Sequence, residues 1–373
     1  MKRRDFIGKL GLGALAGGAL SACSKPSLEC DGVADSAGTS KPIHWKMVTT
    51  WPKNFPGLGT GAEFLAQAIN EMSGGRLTVK VYGAGELVPA FEIFDFVSSG
   101  GAEMGHGGAY YWKGKNEAFQ FFATVPFGLT ANEINAWIFH GDGLKLWREA
   151  YEPFGLVPIP AGNTTVQMAG WFNKQINNIE DLKGLKMRIP GLGGEVLHRA
   201  GGTPVNLPGG ELFTSLQTGA IDATEWVGPY NDLAFGLYKA AKYYYYPGWH
   251  EPGTILECFV NETALKKLPD DLQAIVMNAA RVANHNMQLE YVARNNAALQ
   301  TLVNEHNVQV RRLPDEVLKK LYKISNEVVA EIADKDAFSR KVYESYLKFR
   351  KQAIAWQDIS DRAFLNARVE LAD

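Results

Sequence analysis

The sequence predicts an α/β fold with two lobes, mainly parallel or mixed sheets, a hinged cleft between the lobes and a long C-terminal helix. Three observations lead to this prediction. The chain has 373 residues, which is more than a single hydrophobic core usually contains. Strand-like and helix-like segments alternate from residue 42, and the alternation starts again at residue 155, as expected for two α/β units. Residues 336–371 form one long, charged and amphipathic helical stretch.

Residues 42–154 are predicted to form mainly the first lobe. Apolar and polar residues alternate strictly in "RLTVKVY" (76–82), which indicates a strand. Apolar residues recur at helical spacing in "TGAEFLAQAINEM" (60–72), which predicts a helix that ends before two glycines. The same patterns predict strands at 44–51 and 102–108, and helices at 89–99 and 131–150.

Residues 155–262 are predicted to form mainly the second lobe, and residues 263–373 to add helices that pack on both lobes. The second lobe shows short apolar segments separated by turn residues, which are typical of strands. The predicted strands are 156–162, 167–172, 185–191 and 203–207, and the predicted helices are 194–201, 210–218 and 262–309.

The N-terminus is predicted to be a Tat-type export signal with a lipobox (residues 1–22). Arg3 and Arg4 precede an uncharged stretch, residues 10–22, that is too short to span a bilayer. The sequence "LSAC" places Cys23 where the first, lipidated residue of a mature lipoprotein stands; a plain cleaved signal is the alternative. Residues 23–41 are small and polar and predict a flexible tether. These features predict a periplasmic protein anchored to a membrane by lipid.

Composition and motifs exclude several classes of function. The net charge of -2 argues against a nucleic-acid-binding surface. The chain contains no G-x-S-x-G, H-E-x-x-H or P-loop motif. The glycine-rich segment "PGLGGEV" (190–196) has Val196 where a dinucleotide site needs its third glycine.

Four polar side chains stand where a ligand site is expected. Arg188 ends a predicted strand, at the edge where open α/β sheets bind ligands, and its guanidinium can hold a carboxylate through two parallel hydrogen bonds. Gln167 lies among small and apolar residues and needs a buried partner or a ligand. Glu225 is followed by Trp226 and then by Gly-Pro, and Glu251 follows a run of tyrosines.

The segments that contain these residues resemble the substrate-binding proteins of TRAP (tripartite ATP-independent periplasmic) transporters, the DctP type, and especially their alpha-keto acid-binding branch. The resemblance rests on "GELVPAFEIFDFVSSGGAEMGH", "GNTTVQMAGWF", "LKGLKMRIPG", "DATEWVGPY" and "YYYYPGW", and it extends from about residue 44 to the C-terminus. It implies the two-lobed fold of periplasmic binding proteins and a substrate carboxylate paired with Arg188. It also implies a cation bound by Gln167, Glu225, Glu251 and the backbone carbonyl of Trp226, and a site lined by Tyr110 and Tyr111.

A charge count supports a cation in the implied site. Arg188 contributes +1, Glu225 and Glu251 together contribute -2, and a monocarboxylate substrate contributes -1. The sum of -2 is unfavourable in a closed cleft, so that a cation or a protonated glutamate is needed. Oxygen ligands without cysteine or histidine favour a hard ion. The charge count favours calcium, whereas the resemblance favours sodium, which we take as the first expectation.

The sequence therefore predicts a receptor for a 2-oxo monocarboxylate such as pyruvate, without catalytic residues, that delivers its substrate to membrane permease subunits. A receptor for a 2-hydroxy acid such as lactate, with calcium, is an alternative, because such acids chelate a cation in a similar way. An exported metal-dependent enzyme that acts on oxo acids is the second alternative. The resemblance also implies a homodimer in which the C-terminal helix reaches the partner, whereas the lipobox departs from the resemblance.

Overall fold

The structure is a computed structural model, and it describes residues 41–371. The predicted signal, Cys23 and the tether up to residue 40 lie outside the described residues. No helix within residues 41–371 combines the length and the apolar character needed to cross a membrane.

The described residues contain strands and helices in alternation, as predicted. The strands are β1 (Ile43–Thr49), β2 (Leu77–Tyr82), β3 (Met104–Gly107), β4 (Leu156–Asn163), β5 (Gly170–Phe172), β6 (Lys186–Arg188), β7 (Thr203–Val205), β8 (Ala223–Thr224), β9 (Tyr243–Tyr246), β10 (Ile255–Asn261) and β11 (Gln309–Arg312). The α-helices are α1 (Leu58–Met72), α2 (Ile93–Ser98), α3 (Phe119–Ala123), α4 (Ala131–His140), α5 (Gly143–Tyr151), α6 (Gly191–Arg199), α7 (Leu212–Gln217), α8 (Pro229–Phe235), α9 (Glu262–Lys266), α10 (Asp270–Asn304), α11 (Asp315–Ala333), α12 (Ala337–Gln357) and α13 (Asp361–Glu370).

Two mixed sheets organise these elements. The first sheet has the order β2-β1-β3-β10-β4, in which β1 is parallel to both of its neighbours and β10 is antiparallel to β3 and β4. The second has the order β11-β9-β5-β8-β6-β7, in which β6 is parallel to β7 and β8, whereas β5 is antiparallel to both of its neighbours. The predicted fold class, two α/β lobes with mixed sheets, is confirmed.

The chain passes between the sheets more often than a simple division of the sequence suggests. Strands β4 and β10 both belong to the first sheet. Residues 155–262, predicted to form mainly the second lobe, therefore begin and end with strands of the first sheet. Strands β10 and β11 lie where the sequence patterns predicted no strand, and residue 309, at the end of the predicted helix 262–309, belongs to β11.

Several long predicted helices are interrupted in the structure. The helix predicted at 131–150 is divided at residues 141–142, where Gly141 adopts an extended conformation and ends α4. The helix predicted from 262 to 309 is divided before Pro269, after which Asp270 and Asp271 provide acidic residues in the first turn of α10. The C-terminal stretch, predicted as one helix over 336–371, is divided into α12 and α13 by residues 358–360.

Helix α10 connects the two lobes. It packs on α1 and β4 of the first lobe and on α8 of the second. One hydrophobic cluster joins Trp51 and Leu256 of the first lobe, Trp226 of the second, and Met287 and Tyr291 of α10. A packed core therefore extends between the lobes, beside the place where their strands end.

Candidate functional site

The candidate site lies where strands of both sheets end. Arg188 is the last residue of β6, and Glu225 follows β8 directly. The short helical turn Ala109–Trp112, which contains Tyr110 and Tyr111, follows β3 of the other lobe. The carboxyl ends of parallel strands lie at the same edge of a sheet, and the residues that follow them meet there. The three segments therefore lie close together.

A small cavity of about 10 Å³ marks the meeting point. Its walls come from both lobes, and they include the first residue of α1. The lining residues are Trp51, Leu58, Tyr110, Tyr111, Thr164, Gln167, Arg188, Trp226, Val227 and Leu256.

Arg188 is almost completely buried and makes polar contacts with both lobes. Its Nε donates to the carbonyl oxygen of Leu207 at 3.1 Å, and its Nη2 donates to the hydroxyl oxygen of Tyr111 at 3.2 Å. Its Nη1 donates to the carboxylate of Glu225, and its guanidinium lies 5.0 Å from the ring centre of Trp226. Burial acts to lower the pKa of Arg188. Glu225 and the neighbouring tyrosines raise the pKa by more than burial lowers it, so the net shift is upward. Arg188 is therefore a permanent, oriented cation.

Glu225 has one carboxylate oxygen in use and one free for a ligand. The backbone N–H of Glu225 donates to the carbonyl oxygen of Arg188 at 3.2 Å, which fixes the two residues side by side. Its Oε1 accepts from Arg188. Its Oε2 is buried and finds no hydrogen-bond partner among the described residues, although Nε2 of His250 lies 3.5 Å away. A buried carboxylate oxygen without a donor is unfavourable unless a ligand or cation completes it.

Gln167 and Glu251 form a second buried pair beside Glu225. Nε2 of Gln167 donates to Oε2 of Glu251 at 2.7 Å and to Oγ1 of Thr164 at 3.0 Å. The hydroxyl of Thr254 donates to the same oxygen of Glu251 at 2.6 Å. Oε1 of Gln167 is buried and has no partner within residues 41–371. The side-chain amide of Gln167 therefore turns its N–H groups toward Glu251 and leaves its oxygen unused.

Burial and charge shift the pKa of Glu251. Its pKa is raised to about 7, chiefly by removal from water and also by the nearby carboxylate of Glu225. His250, Thr254 and Arg188 act to lower it. A positive charge beside Glu251 would favour its ionised form, so that the pocket is arranged to gain from binding a cation.

The side chains fit a small, hard cation. Ligand atoms of Glu225, His250 and Glu251 all lie within 4.8 Å of one another, and all three residues are buried. Two oxygens without partners in the described part of the chain, Oε2 of Glu225 and Oε1 of Gln167, belong to the same cluster of residues. Carboxylate and amide oxygens are the donors that sodium and calcium prefer. Because these two buried oxygens have no hydrogen-bond partner among the described residues, the donor set fits such an ion.

A separate buried acid supports the segment that carries Trp226. Asp232 accepts from Nε1 of Trp171 at 2.9 Å and from the hydroxyl of Tyr244 at 2.7 Å. Its other oxygen accepts from the backbone N–H of Val227 at 3.4 Å. Pro229 at the first position of α8 turns the chain away after Gly228. These contacts fix the backbone that follows the Glu225-Trp226 pair.

The structure brings together the seven predicted site residues that it describes. Tyr110, Tyr111, Gln167, Arg188 and Trp226 line the cavity. Glu225 and Glu251 contact Arg188 and Gln167 respectively, whereas Cys23 lies outside the described residues.

Sequence reasoning missed six residues of the site. Five of them, Trp51, Leu58, Thr164, Val227 and Leu256, line the cavity, and His250 contacts Glu225. Trp51 follows the end of β1, so the rule that finds Arg188 would also find it. Leu58 and Leu256 carry no such signal, because apolar residues at these spacings are equally typical of a core.

Comparison with known proteins gives consistent matches. The profile of the family described as bacterial extracellular solute-binding protein, family 7, matches residues 47–336. A monocarboxylate 2-oxoacid-binding periplasmic protein from Nostoc sp. is 42% identical over 368 residues, which are 98% of each chain.

Solved structures agree with the sequence matches. A TRAP periplasmic solute-binding protein from Pseudoalteromonas atlantica, with bound sodium and pyruvate, is 45% identical, with a TM-score of 0.85 over 87% of this chain and 99% of that chain. Another from Colwellia psychrerythraea, with bound calcium and pyruvate, is 44% identical, with a TM-score of 0.85 over 88% of this chain and 100% of that chain.

Proposed function

The chain belongs to bacterial extracellular solute-binding protein family 7, and from that premise we propose that it is a TRAP-transporter receptor for a 2-oxo monocarboxylate such as pyruvate. The acid is held by Arg188 and by a cation bound beside it. The single observation that carries this proposal is the contact between buried Arg188 and Glu225, whose second oxygen has no partner among the described residues. Pyruvate with sodium or calcium in two similar proteins supports the choice of ligands.

Arg188 supplies the positive charge for the substrate carboxylate. Its Nε is occupied by Leu207, so the two terminal nitrogens are the ones available for a carboxylate. Nη1 contacts Glu225 and Nη2 contacts Tyr111. The substrate carboxylate therefore replaces, or shares, contacts that the protein makes with its own oxygens. Tyr111 stays within hydrogen-bond reach of the guanidinium and orients it from the opposite lobe.

Glu225, Gln167, Glu251 and the backbone carbonyl of Trp226 hold the cation in this proposal. A bound cation supplies positive charge that a 2-oxo acid can chelate through its carboxylate and keto oxygens. It also compensates the two glutamates, which burial in the cleft otherwise disfavours as anions. Sodium remains our first expectation, and calcium fits the same donors.

Calorimetric titration of metal-stripped protein tests the proposal. Pyruvate, lactate and acetate are titrated without added cation, and again with sodium or calcium restored. We expect stoichiometric pyruvate binding that is much tighter with cation, because the cation and the substrate compensate each other's charge. A pyruvate affinity that is the same with and without either cation would contradict the proposed role of the cation. Tighter binding of lactate than of pyruvate would replace the substrate assignment by a 2-hydroxy acid.

The proposal assigns no catalysis to the protein. Incubation of pyruvate with the cation-loaded protein, followed by analysis of the solution, is expected to return pyruvate unchanged. The appearance of product in proportion to protein would instead support the metal-dependent enzyme that acts on oxo acids.

The proposal extends to the partners and the location of the protein. The receptor delivers the acid to TRAP permease subunits from the periplasm, after export by the Tat pathway and lipidation of Cys23. Metabolic labelling with a fatty acid analogue is expected to mark the full-length protein, and Cys23→Ala to remove the label. Absence of the label from the wild-type protein would instead support a plain cleaved signal.

We also propose a homodimer formed through the C-terminal helices. The last turn of α12, the connecting residues 358–360 and α13 expose large apolar side chains, among them Trp356, Ile359 and Phe364, each more than three-fifths exposed. Sedimentation analysis is expected to show a dimer. Replacement of Trp356 and Phe364 by serine is expected to give monomers, whereas a dimer that persists would contradict this role of the helices.

A further inference from the structure

We propose that His106 is a positioning residue of the binding site, which holds the indole ring of Trp51 where that ring contacts the segments beside both the cation and the substrate carboxylate. The inference rests on the proposed function and goes beyond it. His106 does not line the cavity, so it acts through Trp51, which does.

A hydrogen bond joins the two side chains inside the first lobe. Nε1 of Trp51 donates to Nδ1 of His106 at 2.8 Å, and both residues are buried. His106 lies on β3, and Trp51 is the second residue after the neighbouring strand β1. Because β1 and β3 belong to the same sheet, the bond does not require contact between the lobes.

The bond fixes the tautomer of His106. An indole N–H can only donate, so Nδ1 of His106 must accept and carries no proton. The proton is then on Nε2, which faces the carbonyl oxygen of Ala161 on β4 at 3.4 Å. Burial lowers the pKa of His106 to about 4, so the imidazole is neutral at neutral pH, as the bond requires.

The backbone of Trp51 is held independently of His106. The hydroxyl of Thr49 donates to the carbonyl oxygen of Trp51 at 3.0 Å, and the backbone N–H of Ala84 donates to the same oxygen at 2.8 Å. The freedom that remains is rotation about the two side-chain bonds of the tryptophan. The bond to His106 restrains this rotation at the polar edge of the ring.

The oriented ring of Trp51 contacts both lobes. It meets the ring of Trp226 edge to face, with the ring centres 6.1 Å apart, and its centre lies 6.3 Å from that of Tyr111. Trp226 offers its backbone carbonyl to the cation in the proposed function, and the hydroxyl of Tyr111 accepts from Arg188. One ring therefore packs beside the cation-binding segment and beside the partner of the carboxylate-binding arginine.

Loss of the acceptor should disturb this arrangement. Without Nδ1 of His106, the indole N–H would be buried and unpaired, which favours rotation of Trp51 toward another acceptor. Such a rotation would break the edge-to-face contact with Trp226, whose geometry is specific. Binding would then have to restore the orientation of the ring, and this ordering lowers affinity.

Two variants of similar shape separate the acceptor from the packing. Asparagine and leucine both place an atom where Nδ1 of His106 stands, but only asparagine can accept a hydrogen bond there. Pyruvate is titrated calorimetrically into wild-type protein, His106→Asn and His106→Leu, with sodium or calcium present. His106→Leu is expected to lower the pyruvate affinity by about threefold to tenfold, whereas His106→Asn should stay within about twofold of the wild type.

A double-mutant cycle tests whether the effect passes through Trp51. Phenylalanine has no N–H group, so His106→Leu in a Trp51→Phe background should cost no further affinity. An equal loss in both backgrounds would overturn the inference. If His106→Leu does not fold, His106→Phe, which keeps a ring without an acceptor, replaces it in both backgrounds.

The indole N–H signal of Trp51 reports the bond directly. In magnetic resonance spectra of protein with isotope-labelled tryptophan, this signal is the one that disappears in Trp51→Phe. It is expected to shift in His106→Leu and to stay near its wild-type position in His106→Asn. A signal that does not move in His106→Leu would overturn the inference.

Ser345→Ala is the matched control. Nε1 of Trp137 donates to Oγ of Ser345 at 3.2 Å, and Trp137 is buried but does not line the cavity. The control therefore removes the acceptor of a buried tryptophan away from the site, and it is expected to keep the wild-type pyruvate affinity. A loss equal to that of His106→Leu would contradict a role specific to His106.

Two further outcomes would overturn the inference and leave the proposed function intact. One is His106→Leu that binds pyruvate as tightly as the wild type. The other is an equal loss of affinity in His106→Leu and His106→Asn. Wild-type protein that binds pyruvate with neither cation would instead reject the proposed function itself.

Discussion

Glu225 and Glu257 are both completely buried glutamates, yet their carboxylates have opposite surroundings. Glu257 on β10 accepts from Nε1 of Trp112 at 2.6 Å and from the hydroxyl of Tyr151 at 2.7 Å, so both of its oxygens are satisfied by neutral donors. Glu225 has the cation Arg188 on one oxygen, and no partner among the described residues on the other.

The difference separates an acid that stabilises the fold from an acid that binds a ligand. Burial raises the pKa of Glu257 to about 8, although its two hydrogen bonds lower it, so Glu257 can remain protonated near neutral pH. Trp112, which donates to Glu257, belongs to the turn that carries Tyr110 and Tyr111. Glu257 therefore supports the wall of the cavity. Glu225 keeps one buried oxygen without a hydrogen-bond partner among the described residues, which a bound cation would complete.

Substitution of the cationic partner is expected to have the largest effect. Arg188→Ala leaves Glu225 buried without compensation and removes the donor for the substrate carboxylate. The pyruvate affinity should fall by about 2–5 kcal/mol, which is about thirtyfold or more. Calorimetric titration with cation present measures this change. Lys186→Ala, an exposed change on the same strand, is the control. If Arg188→Ala binds pyruvate as tightly as the wild type, the assignment of Arg188 is wrong.

The paired substitutions Glu225→Gln and Glu257→Gln test the comparison directly. Loss of a charged ligand in Glu225→Gln should lower the affinity for calcium by at least about tenfold. Glu257→Gln should leave that affinity near the wild-type value, and should change the free energy of unfolding only slightly near neutral pH, because an amide, like the protonated carboxyl group, offers one acceptor and one donor to Trp112 and Tyr151. Calcium titration and chemical denaturation measure the two quantities. Equal losses of calcium affinity in the two variants would refute the distinction.

The pH dependence of stability should be the smallest of these effects. The pKa of Glu257 is raised from 4.5 to about 8 in the folded state. Between these values the folded state retains a proton that the unfolded state has released. The contribution of Glu257 to stability is therefore fully present below pH 4.5 and decreases as the pH rises toward 8. The slope approaches at most about 1.4 kcal/mol per pH unit.

Denaturation of metal-free protein across this pH range measures the effect. The wild-type free energy of unfolding should fall more steeply with rising pH than that of Glu257→Gln, in which residue 257 no longer titrates. Asp232 and Glu251, whose pKa values are also raised, are unchanged in both proteins, so the difference between the two curves isolates Glu257. Parallel curves would show that Glu257 ionises at its ordinary pKa in the folded protein.

The sequence predicts the polar part of the site better than the apolar part. Arg188 can be located because a strand pattern ends at it, and a charged residue is seldom part of a hydrophobic core. Leu58 and Leu256 cannot be located this way, because an apolar residue in a periodic segment fits a core equally well. His250 contacts Glu225 through a pairing of strands that no local pattern specifies.

The fold shows the same limit. The periodicity of β2 is strict, and the predicted strand agrees with the structure to within one residue. Strand β10 is buried along nearly its whole length, so it lacks the alternation that would mark it as a strand. Its place in the middle of the first sheet depends on long-range pairing with β3 and β4. That pairing brings Leu256 to the cavity.

The contact between Arg188 and Glu225 has a consequence for the solutes that the protein rejects. Chloride, phosphate and acetate are common outside the cell, and an unpaired buried arginine would attract all of them. Here an arriving anion meets a guanidinium that already has a carboxylate of the protein as its partner. An anion that offers only charge must displace that partner without compensation. An acid that also chelates a cation brings the replacement charge that Glu225 requires, so the internal carboxylate favours chelating acids over simple anions.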